Sequence, residues 1–185
     1  MMLKWKWLAA GFVLAAGAVL IPGADASKQT DSAAPTERVM ARLDLDGMFR
    51  SHAESRRGLE CLALNVYWEA RSEPLEGQLA VAAVTLNRVA DPGFPADTCA
   101  VVRQGGEARR HRCQFSWWCD GKRDEPREAG AWRQASEVAR LAHAGVVSDP
   151  TRGALWYHAD YVKPAWAAKK RKVAKIGRHI FYDYP

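Results

Sequence analysis

Glu69 is the residue whose type and setting best suit chemistry. It lies near the end of the run Ala63-Leu64-Asn65-Val66-Tyr67-Trp68-Glu69-Ala70-Arg71, within an apolar series, Leu59, Leu62, Leu64, Val66 and Ala70, at roughly helical spacing. The C-terminal end of a helix disfavours an anion by roughly 0.3–1 kcal/mol. An aromatic neighbour such as Trp68 lowers the local dielectric and raises a carboxyl's pKa. A carboxylate placed at that cost suits a general acid, which must hold its proton at working pH. A solvated Glu on the outer face of the helix explains the same pattern, and the local sequence weighs the two about equally. Glu73 and Glu76 follow closely around Pro74. Carboxylates in an aromatic-lined cleft are the working parts of glycosidic-bond cleavage. Of the three, Glu69 has the apolar surroundings an acid needs. Glu76 reads as a first-turn charge on the next helix.

Two further constellations could hold a substrate. Cys113-Gln114-Phe115-Ser116-Trp117-Trp118-Cys119 is short, aromatic and bounded by cysteines. Sugar rings stack on flat apolar faces, while Gln114 and Ser116 can hydrogen-bond hydroxyl and N-acetyl groups. Read as a β-hairpin or tight turn, the segment sends one of Trp117 and Trp118 to the core, because successive strand side chains point to opposite faces. Trp156-Tyr157-His158, followed by Tyr161 and Trp166, is the other. His158 reads either as a hydrogen-bonding group of the site or as a satisfied structural histidine. No C-x-x-C or H-E-x-x-H occurs, which argues against a zinc site, and acid–base cleavage by a carboxyl needs neither a metal nor an organic cofactor.

The elements that must position these groups follow from periodicity and breakers. An amphipathic stretch over about 37–53 precedes Gly58, and a first core helix is expected over about 59–71. Pro74 breaks the chain. A second helix over about 75–90 carries Leu79, Val81, Ala82, Ala83, Val84 and Leu86, apolar around most of its circumference, and is expected to be the buried central helix. A short helix over about 99–104 and a longer one over about 132–144, stopped by Gly145, come next. Leu155–His158 and His179–Tyr182 read as short strands, and Pro164–Lys175 as a basic segment. The fold class expected is mainly α, of α+β type, with a small β-hairpin beside the site. If the first two core helices are antiparallel, residue 90 returns near residue 59, and loop 91–98 leaves Cys99 beside Cys61 at bridging distance. Cys113 then pairs with Cys119 and closes the aromatic loop.

Composition bounds the setting. The 185 residues fit one domain with an N-terminal extension. Residues 1–26 read as a signal peptide: Lys4 and Lys6, the apolar stretch Leu8–Ile21, then Ala24-Asp25-Ala26. The apolar stretch is short for a membrane span, which needs about 20 residues. Residues 27–57 read as a linker with the helix just described, and 58–185 as the catalytic domain. Loss of Lys4, Lys6 and Asp25 lowers the formal charge from +6 to +5. A basic exported protein points to anionic wall polymers or headgroups, with no nucleic-acid partner. The run Lys169-Lys170-Arg171-Lys172 reads as a solvated basic face or as attraction to an acidic wall.

Taken together, the chain resembles the SleB/CwlJ cell-wall hydrolases, the spore-cortex-lytic enzymes and their relatives. The matching motifs are Ala63–Arg71, Glu73-Pro74 with Gly77-Gln78, Ala80-Val81-Ala82 with Asn87-Arg88-Val89, Phe94-Pro95, Cys113–Ser116 with Cys119-Asp120-Gly121, Gly153-Ala154 with Tyr157-His158, Pro164 with Trp166, and Ile176–His179 with Phe181-Tyr182. The resemblance implies a lysozyme-like, mostly helical catalytic domain that cleaves peptidoglycan glycan strands between N-acetylmuramic acid and N-acetylglucosamine. It implies that Glu69 is the catalytic acid and that Gln114, Phe115 and Ser116 line the glycan groove; from the aromatic constellations above, Trp117, Trp118, Tyr157 and His158 are expected to bind substrate beside them. A lytic transglycosylase leaving 1,6-anhydro-muramic acid ends is the first expectation. A lysozyme-type hydrolase, with Glu73 or Asp120 assisting water, and a non-catalytic wall-binding module are the alternatives. The expected setting is the periplasm or cell envelope, as a monomer free of the membrane once the signal is removed. The spore enzymes carry a peptidoglycan-binding repeat before the catalytic domain. Here a short linker stands in its place, which points to a general envelope role.

Overall fold

The computed structural model describes residues 45–105 and 113–185. The signal peptide and most of the linker expected from the sequence lie outside these residues. Helix α1 spans Leu45–Ala70, α2 Leu75–Ala90, α3 Thr98–Val102 and α4 Ala129–His143. Strands β1 (Trp156–Ala159), β2 (Arg171–Ile176) and β3 (His179–Asp183) form one antiparallel sheet in the order β1-β3-β2. Single 3-10 turns occupy Ser116–Cys119 and Ala165–Lys169. The expected mainly helical α+β class is what folds.

Helix α2 is the hub, as its all-round apolar sequence predicts. Ala82 joins Leu62, Ala63 and Val66 of α1 and Ala135, Val138 and Ala139 of α4 in one buried cluster. Ala80 and Val84 pack with Ala154, Ile176 and Phe181 of the sheet side. A third cluster, Cys61, Cys99, Val102, Phe115 and Trp117, seats the aromatic loop against α1 and α3. Both expected disulfides are present: Cys61–Cys99, with Cα atoms 5.2 Å apart, and Cys113–Cys119, at 6.2 Å.

Three expectations are corrected. First, α1 does not begin after Gly58 but runs through it from Leu45. A mid-helix glycine costs only about 1 kcal/mol, and at Gly58 the helix closes on Thr98, whose Oγ1 would lie 3.6 Å from an added Cβ. Second, of the two readings of Cys113–Cys119 the β-hairpin gives way to the tight turn. Its aromatic residues fold into a 3-10 turn, with Trp118 N donating to Phe115 O at 3.3 Å. Third, the basic segment holds a strand, β2. Its charges suit an exposed sheet edge, where Arg171 pairs with Asp183 at 2.7 Å and Lys175 with Asp160 at 2.9 Å. Lys170 lies with Nζ 3.2 Å from the Trp156 ring centroid. Two members of the basic run, Lys170 and Arg171, are thus engaged by partners.

The β2–β3 hairpin turns on Gly177, at φ 55°, and Arg178. This turn locks onto the α1–α2 connection through Glu73, whose carboxylate accepts from Arg178 N at 2.9 Å and Arg178 Nε at 2.8 Å. The Glu73 side chain is 2% exposed, and the Arg178 contacts hold its carboxyl below the usual range against the opposing effect of burial. A Cβ on Gly177 would collide with Glu73 Oε2, which is pinned and cannot swing away. Gly177→Ala should therefore cost at least about 2 kcal/mol, combining left-handed strain with a displaced ion pair. Thermal unfolding at neutral pH should show a fall of several degrees, and an unchanged midpoint would contradict this packing.

Candidate active site

Glu69 sits in the last turn of α1, half-buried. Its Oε2 accepts a hydrogen bond from the Tyr157 hydroxyl at 3.2 Å. Burial raises the Glu69 carboxyl to about 7, and the Tyr157 hydrogen bond and the Arg88 charge offset only part of that rise. Among the described residues, no other carboxylate is a cause of this shift. A carboxyl with these properties holds a proton near neutrality and can deliver it to an oxygen.

The end of α2 places Tyr157 on this carboxyl. Asn87 Nδ2 donates to Asp149 Oδ2 at 3.0 Å and to Ala154 O at 3.1 Å, and Arg88 Nε donates to Leu155 O at 2.7 Å. Asp149 in turn caps the amides of Thr151 and Gly153, both at 2.7 Å. The chain entering β1 is thus fixed one and two residues before Trp156. In the strand, Tyr157 pairs with Phe181 and lies against the rings of His179 and Phe181, with centroids 5.2 and 5.6 Å away. Enclosure and the adjoining Glu69 carboxylate push the Tyr157 hydroxyl well above its usual range, so it stays a donor.

Two clefts adjoin this centre. One, of about 500 Å³, is lined by Arg88, Gln114, Trp156, Tyr157, His158, Val162, Pro164, Trp166 and Lys170. The other, of about 360 Å³, includes Tyr67, Trp68, Arg71, Trp117, Asp120 and Asp124 in its wall. Glu69 belongs to neither lining. It is joined to the first cleft through Tyr157 and follows Trp68 of the second directly in sequence.

The expected groove residues divide between the two. Gln114, Tyr157 and His158 line the larger cleft, and Trp117 the smaller. Trp117 is 7% exposed, stacks on Trp68 with centroids 6.3 Å apart, and donates Nε1 to Asn65 Oδ1 at 3.2 Å. Trp118 packs beneath Arg103, whose guanidinium carbon lies 4.6 Å from its ring. Phe115 is buried in the core, and Ser116 is exposed on the loop. His158 has both ring nitrogens engaged, Nδ1 with Ala159 O at 2.8 Å and Nε2 with the Tyr182 hydroxyl at 2.9 Å, so it is a satisfied histidine in the cleft wall. Among the described residues no cluster of three His, Cys, Asp or Glu side chains could hold a metal ion.

Glu73 is engaged by Arg178, which removes it as the carboxylate assisting water. Asp120 lines the smaller cleft, where it accepts from Lys122 N at 2.8 Å. Sequence reasoning gave no role to Arg88 or Asn65. Their signal was available: an arginine near the end of a helix that is apolar around most of its circumference, and an asparagine between Leu64 and Val66.

Comparison with known proteins agrees with this geometry. Residues 72–182 match the family model described as Cell Wall Hydrolase. The spore cortex-lytic enzyme of Bacillus subtilis (strain 168) is 33% identical over 132 residues, covering 70% of this chain and 38% of that protein. The same enzyme from Oceanobacillus iheyensis is 34% identical over 130 residues, covering 69% and 42%. The crystal structure of the catalytic domain of the Bacillus cereus SleB protein aligns with a TM-score of 0.51 at 30% identity, over 69% of this chain and 91% of that one. The chain belongs to the cell wall hydrolase family. It spans about two fifths of the length of these curated relatives. The family match begins just beyond Glu69, so the case for that residue rests on its geometry.

Proposed function

We propose that this chain is an exported enzyme that cuts peptidoglycan glycan strands between N-acetylmuramic acid and N-acetylglucosamine, acting as a lytic transglycosylase. The observation that carries the reading is the lone Glu69 carboxyl, held near neutral pKa beside an aromatic-walled cleft. Glu69 first donates its proton to the glycosidic oxygen as the bond to the muramic C1 breaks. The resulting carboxylate then takes the proton of the muramic C6 hydroxyl as O6 bonds to C1. The acid is regenerated, no water is consumed, and the product carries a 1,6-anhydro ring. One group serving as acid and then base needs no second carboxylate, in keeping with burial, Tyr157 and Arg88 as the causes acting on Glu69 among the described residues. The clefts receive the sugars and the enzyme acts as a monomer in the envelope, a placement supported by the signal-like N-terminal sequence.

Purified sacculi digested with the protein provide the test, with released muropeptides weighed by mass spectrometry. Anhydro products are expected. Products heavier by one water would replace this reading with a lysozyme-type hydrolysis, and intact sacculi would leave a wall-binding module.

Tyr157→Phe probes the same centre. The hydroxyl helps hold Glu69 down, so its loss should raise the Glu69 pKa further and move the alkaline limb of the rate profile to higher pH. A limb that stays in place or moves to lower pH would contradict the hydrogen bond.

A further inference from the structure

Arg88 is 1% exposed and makes no ion pair with a carboxylate among the described residues. A buried cation without a paired anion is expensive, so its contacts call for a reason. Its Nε is held by Leu155 O, and its guanidinium carbon lies 5.3 Å from the Phe94 ring and 5.5 Å from the Phe115 ring. Its Nη1 and Nη2 donate to Gln114 Oε1 at 3.3 and 3.2 Å, the amide orientation that matches donors with acceptors. Guanidinium groups only donate, so Arg88 fixes which end of the Gln114 amide faces inward. The amide nitrogen then lies on the other side of the head group, and Gln114 itself lines the larger cleft. A fixed donor there selects an acceptor on the substrate. On a glycan the acetamido carbonyl is the strongest neutral acceptor, and Val162, Pro164 and Trp156 in the same wall suit its methyl group.

We infer that Arg88 is a positioning residue that turns the Gln114 amide so that its N–H donates to the acetamido carbonyl of an N-acetylated sugar, making this pair a determinant of specificity for N-acetylated over de-N-acetylated strands. The inference rests on the glycan reading of the site. It adds a role for a buried residue in the wall of the cleft, and it assigns a polarity to the Gln114 amide.

The decisive variant is Gln114→Glu. The new carboxylate keeps the shape and gives Arg88 a stronger partner, so the fold is retained, but the donor is gone. On N-acetylated strands its KM should rise about tenfold, the scale of one hydrogen bond, with kcat within about threefold of wild type. On chemically de-N-acetylated strands the variant and wild type should differ far less, so the preference narrows. Arg88→Met should show the same narrowing, partly restored in Arg88→Lys. It should also move the alkaline limb upward, because Arg88 holds Glu69 down, and Glu69 and Tyr157 are the titratable groups that act on it. A wild-type KM for Gln114→Glu on N-acetylated strands, or equal losses on both substrates, would overturn the inference. Failure of wild type to cleave either substrate would overturn the glycan reading and this inference with it.

Discussion

Glu69→Gln is expected to lower glycan cleavage at least ~10²-fold, the usual scale of acid–base catalysis, while making the protein more stable at pH 8. The substitution keeps the side chain's shape and its place as acceptor for Tyr157, but removes the titrating proton. The stability effect follows from linkage. The folded-state pKa of about 7 lies above the ordinary 4.5, so the native state binds this proton more tightly than the unfolded chain does. The stabilisation is fully present below pH 4.5 and is lost as pH rises through 7. At pH 8 wild type carries the full cost of a buried anion, up to roughly 3 kcal/mol by the size of the shift, and glutamine carries none. Unfolding midpoints of the two proteins should therefore converge near pH 4 and separate above pH 7, with the variant higher. A variant with wild-type turnover on sacculi would end the assignment of Glu69 as the acid. A variant less stable than wild type at pH 8 would show that the carboxyl is not held at a cost.

Asn65→Ala should be among the most damaging changes away from the chemistry, destabilising by roughly 2–4 kcal/mol. Asn65 is fully buried and joins three elements. Its Nδ2 donates to Thr85 Oγ1 on α2 at 3.1 Å, and its Oδ1 accepts from Trp117 Nε1 at 3.2 Å. Thr85 Oγ1 retains a bond, since it donates to Val81 O at 3.1 Å. Trp117 Nε1 is left with no partner in a closed site. Truncation thus adds a void and an unsatisfied donor, and it frees the aromatic loop from α1. Denaturant unfolding measures the first effect. The second should appear as a higher KM on glycan with the pH profile unmoved, because Glu69, Tyr157 and Arg88 remain in place. A loss below 1 kcal/mol would mean the network is not closed as described.

Much of this arrangement was legible in the sequence because it is local. The span of α2 follows from Pro74 before it and Asp91-Pro92-Gly93 after it. The C-terminus of α4 follows from Gly145, which adopts φ 66°. The Cys61–Cys99 pairing follows from two antiparallel helices and a short loop. Glu69 was visible as a carboxylate misplaced at a helix end beside Trp68. What stayed hidden depends on partners distant in sequence. Gly58 read as a start because propensity penalises glycine, yet tertiary packing against Thr98 carries α1 straight through it. Strand β2 read as a basic segment because Arg171, Lys172 and Lys175 mask its alternation, and only pairing with β3 reveals it. The Cys113–Cys119 segment reads equally as a β-hairpin or a tight turn, and burial of Phe115 and Trp117 against α1 favours the turn. Glu73 read as a spare catalytic carboxylate because Arg178, which engages it, is 105 residues away. Arg88 belongs to the Asn87-Arg88-Val89 motif, but its role needs Leu155, Phe115 and Gln114 in place around it.

The central claim is that the fold holds the Glu69 carboxyl protonated near neutrality so that one group can act as acid and then base. The most direct measurement is a ¹³C NMR titration of the glutamate side-chain carboxyls in the full chain, with the Glu69 signal assigned by its absence in Glu69→Gln. A midpoint near 7, well above the other glutamates, is the predicted result. A midpoint near the ordinary 4.5 would contradict the account.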